Sequence, residues 1–364
     1  MPPSSLIAAK QPPRRFNSAV HILRAFAALM VFSVHMGDSF NTYFFPNCDV
    51  LNALMPYLKR FGTFGVELFF VISGYVIMAS VAKYDLREFL LRRFIRIYPL
   101  FAAFTIVFFV INAFAKLHPE SLSLEALLLN LGFVDIYFGT PALSPNAWSL
   151  TFEANFYLMA GLCCFLLRKR QILLLAVMAL LALTFLSSFP IAAYFLVGCL
   201  AYAGRDLQPA SIPRTVEFLV FALWCVLAAM IDHEAKTAAN LALLAATAAL
   251  FFVITTPTGT LTRLAAVKPL FLLGTVSYSF YLTHPYAYFP LRVIFQKLSL
   301  DTWNIGAAAA VYFPTITIAA IGASCVVYRL LEAAPYRAAF GEAIFRKPRL
   351  ESRGADGLPA AVTP

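Results

Sequence analysis

The chain has 364 residues, of which 61% are hydrophobic and only 13% are charged, with a net charge of +10 and a mean hydropathy of +0.78. A soluble domain usually carries about a quarter charged residues, so this composition excludes one buried core in water and makes lipid the solvent for much of the chain. A basic chain often binds nucleic acid, but here the basic residues lie between apolar segments, which is typical of membrane orientation. We therefore exclude nucleic acid.

Apolar segments of about 20 residues recur along the chain and predict an all-α polytopic membrane protein of about ten transmembrane helices. A less regular stretch, 121–138, is apolar but interrupted by polar residues, which favours a re-entrant or interfacial helix. The ten predicted spans are approximately 19–37, 61–82, 97–115, 148–167, 172–188, 190–204, 215–231, 238–256, 270–291 and 305–328.

The basic residues predict the orientation of these spans. Of the 28 Lys and Arg residues, 21 fall on the side of the membrane on which the N-terminus is placed, six fall on the opposite side and Arg24 lies within the first span. Because cytoplasmic segments are enriched in Lys and Arg, this bias predicts that both termini are cytoplasmic. We expect a cytoplasmic segment 1–18, a transmembrane domain 19–335 and a largely disordered cytoplasmic tail 336–364.

Ionisable residues inside the predicted spans are costly, so each suggests a function. Arg24 and His35 lie eleven residues apart in the first span, which places them on one helical face at a separation of roughly 16 Å. Glu67, Glu153 and His284 come from three other spans and are predicted to lie at a depth similar to that of His35.

Arginines and the imidazole suggest different tasks. Arg24, Arg93 and Arg96 are predicted to gather at the cytoplasmic side, where guanidinium groups suit phosphate oxygens. An imidazole beside a carboxylate, such as His35 with Glu153, suits general-base work. Structural interpretations stay open: such a pair can be a packing contact, and arginines at a helix end often only anchor topology. The six cysteines have no spacing typical of zinc, haem or a disulfide scaffold, so we predict no metal.

Five motifs, in order, resemble the acyltransferase-3 family of bacterial integral-membrane acyltransferases, and most closely its branch that acetylates exopolysaccharides. Two departures accompany them: Glu67 stands where Asp is commoner, and 332–335 has one residue more between its Glu and its Pro than expected. The motifs are Leu23–Ala28 leading to His35, Phe64–Tyr75, Arg93–Pro99, Trp148–Tyr157 and Ser277–His284.

The resemblance implies ten helices, a cytoplasmic acyl-CoA donor, which is acetyl-CoA by default, and O-acylation of an exported or cell-surface saccharide, free or lipid-linked. It also implies that the enzyme lies in the bacterial inner membrane, in contact with the lipid bilayer, and that Arg24, His35, Arg93 and Arg96 matter for activity. A soluble esterase-like domain that some relatives carry has no counterpart in this sequence.

The resulting hypothesis assigns three kinds of residue. His35, oriented by Glu153 or Glu67, takes the proton of the saccharide hydroxyl, while Arg24, Arg93 and Arg96 hold the CoA phosphates. A covalent acyl-Ser73 or acyl-His35 intermediate stays open. Residues predicted to contact substrate or support the site are Ser73, Trp148, Tyr157 and His284.

Two other classes of protein share some of these features. A transporter or flippase for a glycan or lipid-linked saccharide would also carry intramembrane charges, but the sequence shows no convincing internal repeat. A receptor-like or scaffold membrane protein would use the motifs only for packing. Consumption of labelled acetyl-CoA distinguishes the enzyme from both.

Overall fold

The computed structural model describes residues 17–344 apart from 117, 145, 233–237 and 257, and every regular element within them is a helix. Most of the predicted N-terminal segment and of the predicted tail therefore lies outside the described residues. The α-helices, in chain order, are α1 (Ser18–Phe44), α2 (Asp49–Thr63), α3 (Gly65–Lys83), α4 (Leu86–Ala115), α5 (Leu124–Leu131), α6 (Asp135–Phe138), α7 (Trp148–Arg168), α8 (Ile172–Ser188), α9 (Ala193–Ala203), α10 (Arg214–Met230), α11 (Ala238–Ile254), α12 (Thr260–Leu264), α13 (Lys268–Lys297), α14 (Ile305–Val327) and α15 (Ala334–Phe340).

A helix stands at each of the ten predicted span positions, but not every one has the length and composition of a membrane span. Within the described residues, five helical stretches are long and apolar enough to cross a membrane, and a sixth is counted if α8 and the bent stretch after it form one span. That pair bends by 118° at the break before Pro190. The chain is thus an integral membrane protein, while ten crossings and cytoplasmic termini stay predictions.

Two helix boundaries differ from the sequence-based expectation. The helix α2 was not expected, and α4 begins at Leu86 rather than near residue 97. Asp85 caps α4 by accepting a hydrogen bond from the backbone nitrogen of Glu88 at 2.8 Å. As a result, Arg93 and Arg96 lie roughly two to three turns inside a helix rather than in the segment before it.

The helix α1 lies at the centre of the bundle and packs against α2, α3 and α13. Its side chains are largely buried, and Leu23, Ala27 and Val31 belong to a large apolar cluster with residues of α3, α4, α7 and α9. On the other side of α1, Ala28, Phe32 and Met36 pack with α13 and α14. Arg24 and His35 therefore project from a helix that is enclosed on several sides.

The closest packing in the fold is between α3 and α9, where two glycines face each other's backbones. A Cβ atom at Gly74 would overlap the carbonyl oxygen of Phe195, and one at Gly198 would overlap that of Val71. Small residues let transmembrane helices approach this closely. The crossing fixes the position of Ser73, which precedes Gly74 in the chain.

The helix α14 continues into a π-helical segment, Tyr328–Ala333, before α15 begins. Here, between Glu332 and Pro335, the sequence carries one residue more than the family motif that it resembles. A π turn holds an extra residue, so the backbone accommodates the insertion without breaking the helix. Glu332 in this segment is fully buried.

Candidate active site

One cavity, with a volume of about 50 Å³, lies among α1, α3, α4, α7 and α13, and three arginines line it: Arg24, Arg93 and Arg96. We call it the arginine cavity. The hydroxyl-bearing and acidic side chains that share its wall are Ser73, Ser149, Glu153, Tyr157, Tyr278 and Tyr281. The convergence of the three arginines agrees with the expectation from the sequence, whereas their role in holding a phosphate is a prediction.

Glu153 is the only carboxylate among the described residues that line the arginine cavity. Its Oε1 accepts hydrogen bonds from the hydroxyls of Ser73 and Tyr157, so it joins α3 to α7. The guanidinium of Arg93 lies over the Tyr157 ring, 5.7 Å from its centroid, and donates a hydrogen bond to Ser80. The cluster thereby also includes α4.

Three consecutive residues of α13 form hydrogen bonds in or beside the arginine cavity. Ser277 accepts a hydrogen bond from Nε of Arg24 at 3.1 Å. Tyr278 donates its hydroxyl to the backbone carbonyl of Ile97, the residue after Arg96, at 2.8 Å. The hydroxyl of Ser279 donates to Oε2 of Glu332 at 2.7 Å.

These contacts suggest what the arginine cavity can bind. Three guanidinium groups face one lining carboxylate, so the wall carries an excess of positive charge. Guanidinium groups donate several hydrogen bonds in a planar fork that matches phosphate oxygens. An anion such as a phosphate or pyrophosphate group is the ligand that this chemistry favours.

A second cavity lies at the other end of α1, and we call it the histidine cavity. It has a volume of about 420 Å³ and is partly open to solvent. His35 is half-buried in its wall, and the Nζ of Lys59 forms a salt bridge with Asp38 at 2.8 Å. Among the described residues, its lining is Val34, His35, Asp38, Pro56, Lys59, Arg60, Thr63 and Asp232.

His284 packs against His35, with 5.3 Å between their ring centroids. The Nδ1 of His284 donates to the backbone carbonyl of Phe280 at 3.0 Å, because a carbonyl oxygen can only accept. Its Nε2 then accepts from the amide of Asn146 at 3.4 Å, and the same amide donates to the Tyr281 carbonyl at 2.9 Å. His284 is thus held in one neutral tautomer against His35.

Aromatic and imidazole rings lie between the two cavities. Tyr281 lines the arginine cavity, and its ring centroid lies 6.4 Å from that of His284, which in turn contacts His35. The hydroxyl of Tyr281 is hydrogen-bonded to that of Ser149 at 2.9 Å. The arginines and His35 are therefore connected through a short series of packed rings.

The expected grouping of four ionisable residues is only partly correct. His35 and His284 do meet, but Glu153 bonds to Ser73 and Tyr157 in the arginine cavity instead of pairing with His35. The reason is that residues at a similar depth face each other only if their helices are suitably rotated about their axes, and the sequence does not specify that rotation. Glu67, 1% exposed, lines neither cavity among the described residues. Trp148 begins α7 and packs edge-on against Phe152 at 5.9 Å, also outside both cavities.

Three residues were not anticipated as parts of the site. Asp38 lies three residues after His35 and shares its helical face, a spacing that could have indicated it. Asn146 lies just before α7 and had no signal of its own. Glu332 belongs to the motif at 332–335, which has one residue more than expected, and that extra residue was the feature of the sequence that could have indicated it. Among the described residues, no group of three or more His, Cys, Asp or Glu side chains could hold a metal ion.

Comparison with known proteins places this geometry in context. A family model described as an acyltransferase domain matches residues 17–329. The acyltransferase MdmB of Streptomyces mycarofaciens is 33% identical over 154 residues, which is 40% of this chain and 39% of that protein. A Bacillus subtilis (strain 168) protein named "Putative peptidoglycan O-acetyltransferase YrhL" is 26% identical over 329 residues, which is 76% of this chain and 49% of that protein.

A third relative, the peptidoglycan O-acetyltransferase OatA of Listeria monocytogenes, is 27% identical over 168 residues, or 40% of this chain and 24% of that protein. The chain thus spans less than half the length of each of these curated relatives. No solved structure matches the chain significantly.

Proposed function

This chain belongs to the acyltransferase-3 family, and from that membership we propose that it is an O-acyltransferase that moves an acetyl group from acetyl-CoA to a saccharide hydroxyl. One observation carries the proposal: three arginines converge in one cavity, while His35 lies in a second cavity eleven residues further along the same helix. We therefore assign the polyanionic donor to the arginine cavity and the proton-accepting group to the histidine cavity, both of which α1 lines.

The donor end is the arginine cavity. Arg24, Arg93 and Arg96 bind the phosphates of CoA, since these three side chains come from α1 and α4 and face one space. Tyr157 stacks against Arg93 and holds Glu153, which limits the positions that the guanidinium can adopt. The acyl-pantetheine arm then extends past Tyr281 and His284 toward His35.

The acceptor end is the histidine cavity. Asp38, Lys59 and Arg60 line it with donors and acceptors that suit the hydroxyl groups of a saccharide. His284 is held neutral by Asn146 and Phe280, so it packs against His35 without adding a charge. His35 is then the ring that is available to accept a proton.

In the transfer step, the saccharide oxygen forms a bond with the thioester carbonyl carbon while His35 takes the hydroxyl proton. The carbon–sulfur bond breaks, and the proton passes to the CoA thiolate, so the products are an acetyl ester and CoA. Asp38 and Lys59 lie beside His35 in the same cavity, whereas Glu153 supports the arginines. A covalent intermediate on Ser73 or His35 is the alternative route.

The same proposal includes the class of acceptor glycan and the orientation of the protein in the membrane. The two relatives named as peptidoglycan O-acetyltransferases, one of them as putative, favour a cell-envelope glycan as the acceptor class. An exopolysaccharide, as the motifs indicate, is the other member of that class. Ten crossings in the bacterial inner membrane, with both termini in the cytoplasm, would place the arginine cavity toward the cytoplasmic acetyl-CoA.

The test is transfer of label from [14C]acetyl-CoA to peptidoglycan or exopolysaccharide fragments by the purified protein. We expect His35→Gln to lower kcat by about 10²–10⁴, the usual contribution of a general base, with an unchanged KM for acetyl-CoA. Arg93→Gln should instead raise that KM. His118→Gln, at an exposed histidine outside both cavities, is the matched control and should retain activity.

Two outcomes would contradict the proposal. One is wild-type protein that labels neither class of glycan. The other is a folded His35→Gln variant with the wild-type rate, which would remove His35 from the mechanism.

A further inference from the structure

Glu332 is a buried carboxylate that the proposed mechanism does not use. It is fully shielded from solvent, in the π-helical segment Tyr328–Ala333. Its Oε2 accepts the hydroxyl of Ser279 at 2.7 Å, while its Oε1 has no hydrogen-bond partner among the described residues. A buried carboxylate is costly unless positive charge compensates it, so the surroundings of Glu332 need to be considered.

The compensating charges come from the arginine cavity. Arg96 and Arg24 both lie close enough for their charges to act on the Glu332 carboxylate. The helix α13 fixes this arrangement, because Ser277 holds Arg24, Ser279 holds Glu332 and Tyr278 binds the backbone beside Arg96. Glu332 is therefore part of the electrostatics of the cavity even though it does not line it.

The π turn is what keeps Glu332 on the buried side. Along α14 the fully buried residues recur every fourth position, at Tyr312, Ile316, Ala320 and Ser324. In an α-helix each such step of four adds 40° of rotation, so the buried stripe drifts around the axis. A π turn has more residues per turn, which opposes that drift and lets Glu332 continue the buried face.

We infer that Glu332 is a buried counter-ion of Arg24 and Arg96 that sets how tightly the arginine cavity holds an anionic donor. The inference rests on the proposed function for the identity of that donor. The effect of the Glu332 charge on anion binding does not depend on it. The carboxylate stabilises the arginines inside the membrane before the donor arrives, and it repels the donor's phosphates afterwards. The bound state is thus weaker than three arginines alone would give, which favours release of CoA.

The experiment measures anion binding rather than catalysis. Glu332→Gln keeps the size of the side chain and an oxygen for Ser279 but removes the charge. By titration calorimetry at low ionic strength, we expect it to bind inorganic pyrophosphate and acetyl-CoA about tenfold more tightly than the wild type, because the negative charge that repels the phosphates is gone. Affinity for acetyl-pantetheine, which has no phosphate, should not change.

A matched control separates charge from hydrogen bonding. Ser279→Ala removes the hydrogen bond to Glu332 but leaves the carboxylate in place, so it should not tighten pyrophosphate binding. If Glu332→Gln does not fold, Glu332→Ala removes the same charge without requiring a hydrogen bond and should give the same tightening.

The results that would contradict the role of Glu332 differ from those that would contradict acetyl-CoA as the donor. Unchanged or weaker pyrophosphate binding by a folded neutral variant would show that Glu332 is not a counter-ion, as would equal tightening toward acetyl-pantetheine. Wild-type protein that binds pyrophosphate but not acetyl-CoA would exclude the proposed donor, and the pyrophosphate comparison would still decide the role of Glu332. Wild-type protein that binds neither would overturn both.

Discussion

Glu153 accepts two hydroxyl hydrogen bonds on one carboxylate oxygen, from Ser73 and Tyr157, in a cavity that also contains three arginines. Hydrogen bonds to a charged group are stronger than those between neutral groups and are costly to lose when the site is buried. The carboxylate, its two hydroxyl donors and the Arg93 guanidinium over the Tyr157 ring thus form one connected unit. We expect this unit to stabilise the fold as well as to position the arginines.

A pair of tyrosine substitutions tests this view of Glu153. Tyr157→Phe removes a hydrogen bond to a carboxylate and should lower the free energy of unfolding by about 1.5–3 kcal/mol. Tyr281→Phe, also buried in the cavity wall, removes a bond to the neutral Ser149 hydroxyl and should cost only about 0.5–1.5 kcal/mol. Denaturant unfolding in detergent measures both, and equal losses would argue against a charged hydrogen-bonded unit.

The sequence predicted part of the site at this scale. The spacing of Glu153 and Tyr157, four residues apart, places both on one face of α7, and the motif at 93–99 predicted the arginine pair. The pairing of Glu153 with Ser73 could not be predicted, because it depends on how α3 and α7 are rotated about their axes. For the same reason, the sequence left open whether Glu153 or Glu67 orients His35; in the structure Glu153 is bonded to Ser73 and Tyr157.

At the scale of elements, the crossing of α3 and α9 determines where Ser73 lies. Gly74 and Gly198 allow the two backbones to approach so closely that a methyl group on either would overlap a carbonyl oxygen of the other helix. The overlap involves backbone atoms, which cannot rotate away as a side chain would. The two helices must separate to accept any larger residue.

Gly198→Ala should therefore destabilise the protein and displace Ser73 from Glu153, with a loss of about 1–3 kcal/mol typical of overpacking. The matched control is Gly322→Ala in α14, where an added methyl group meets no atom within 4 Å. There the higher helix propensity of alanine should leave stability unchanged or raise it by up to about 1 kcal/mol. Thermal unfolding in one detergent compares the two, and similar values would contradict close packing at the crossing.

The positions of the helices were largely predictable, but some of their limits were not. Apolar runs of about 20 residues mark the centres of the spans, since lipid requires an apolar surface. The start of α4 was missed because Arg87, Glu88, Arg92 and the two arginines after it lower the hydropathy of its first turns. The helix α2 was missed because it is largely exposed and contains Pro56.

At the scale of the whole molecule, α1 connects two cavities of different chemistry. Arg24 lies in the arginine cavity and His35 in the histidine cavity, and the rings of Tyr281 and His284 occupy the space between them. A donor that binds at one end must therefore place its thioester beside these rings to reach His35. In the proposed mechanism, the extended acyl-pantetheine arm has to cover the distance of roughly 16 Å along α1.

The division of basic residues, 21 on one predicted side and six on the other, was the signal in the sequence for the orientation of the whole molecule. It predicts orientation because translocation retains Lys and Arg on the cytoplasmic side. It could not predict the arginine cavity or the histidine cavity, since cavities depend on how the helices are rotated about their axes.

The most direct test of the account uses vesicles in which the protein has a single orientation. [14C]Acetyl-CoA is supplied on the side that the arginine cavity faces, and soluble peptidoglycan strands are supplied either on the same side or on the opposite side. Because donor and acceptor bind in different cavities along α1, we expect labelled glycan only when they are on opposite sides of the membrane. Equal labelling when both are on the same side would contradict the separation of donor and acceptor along α1.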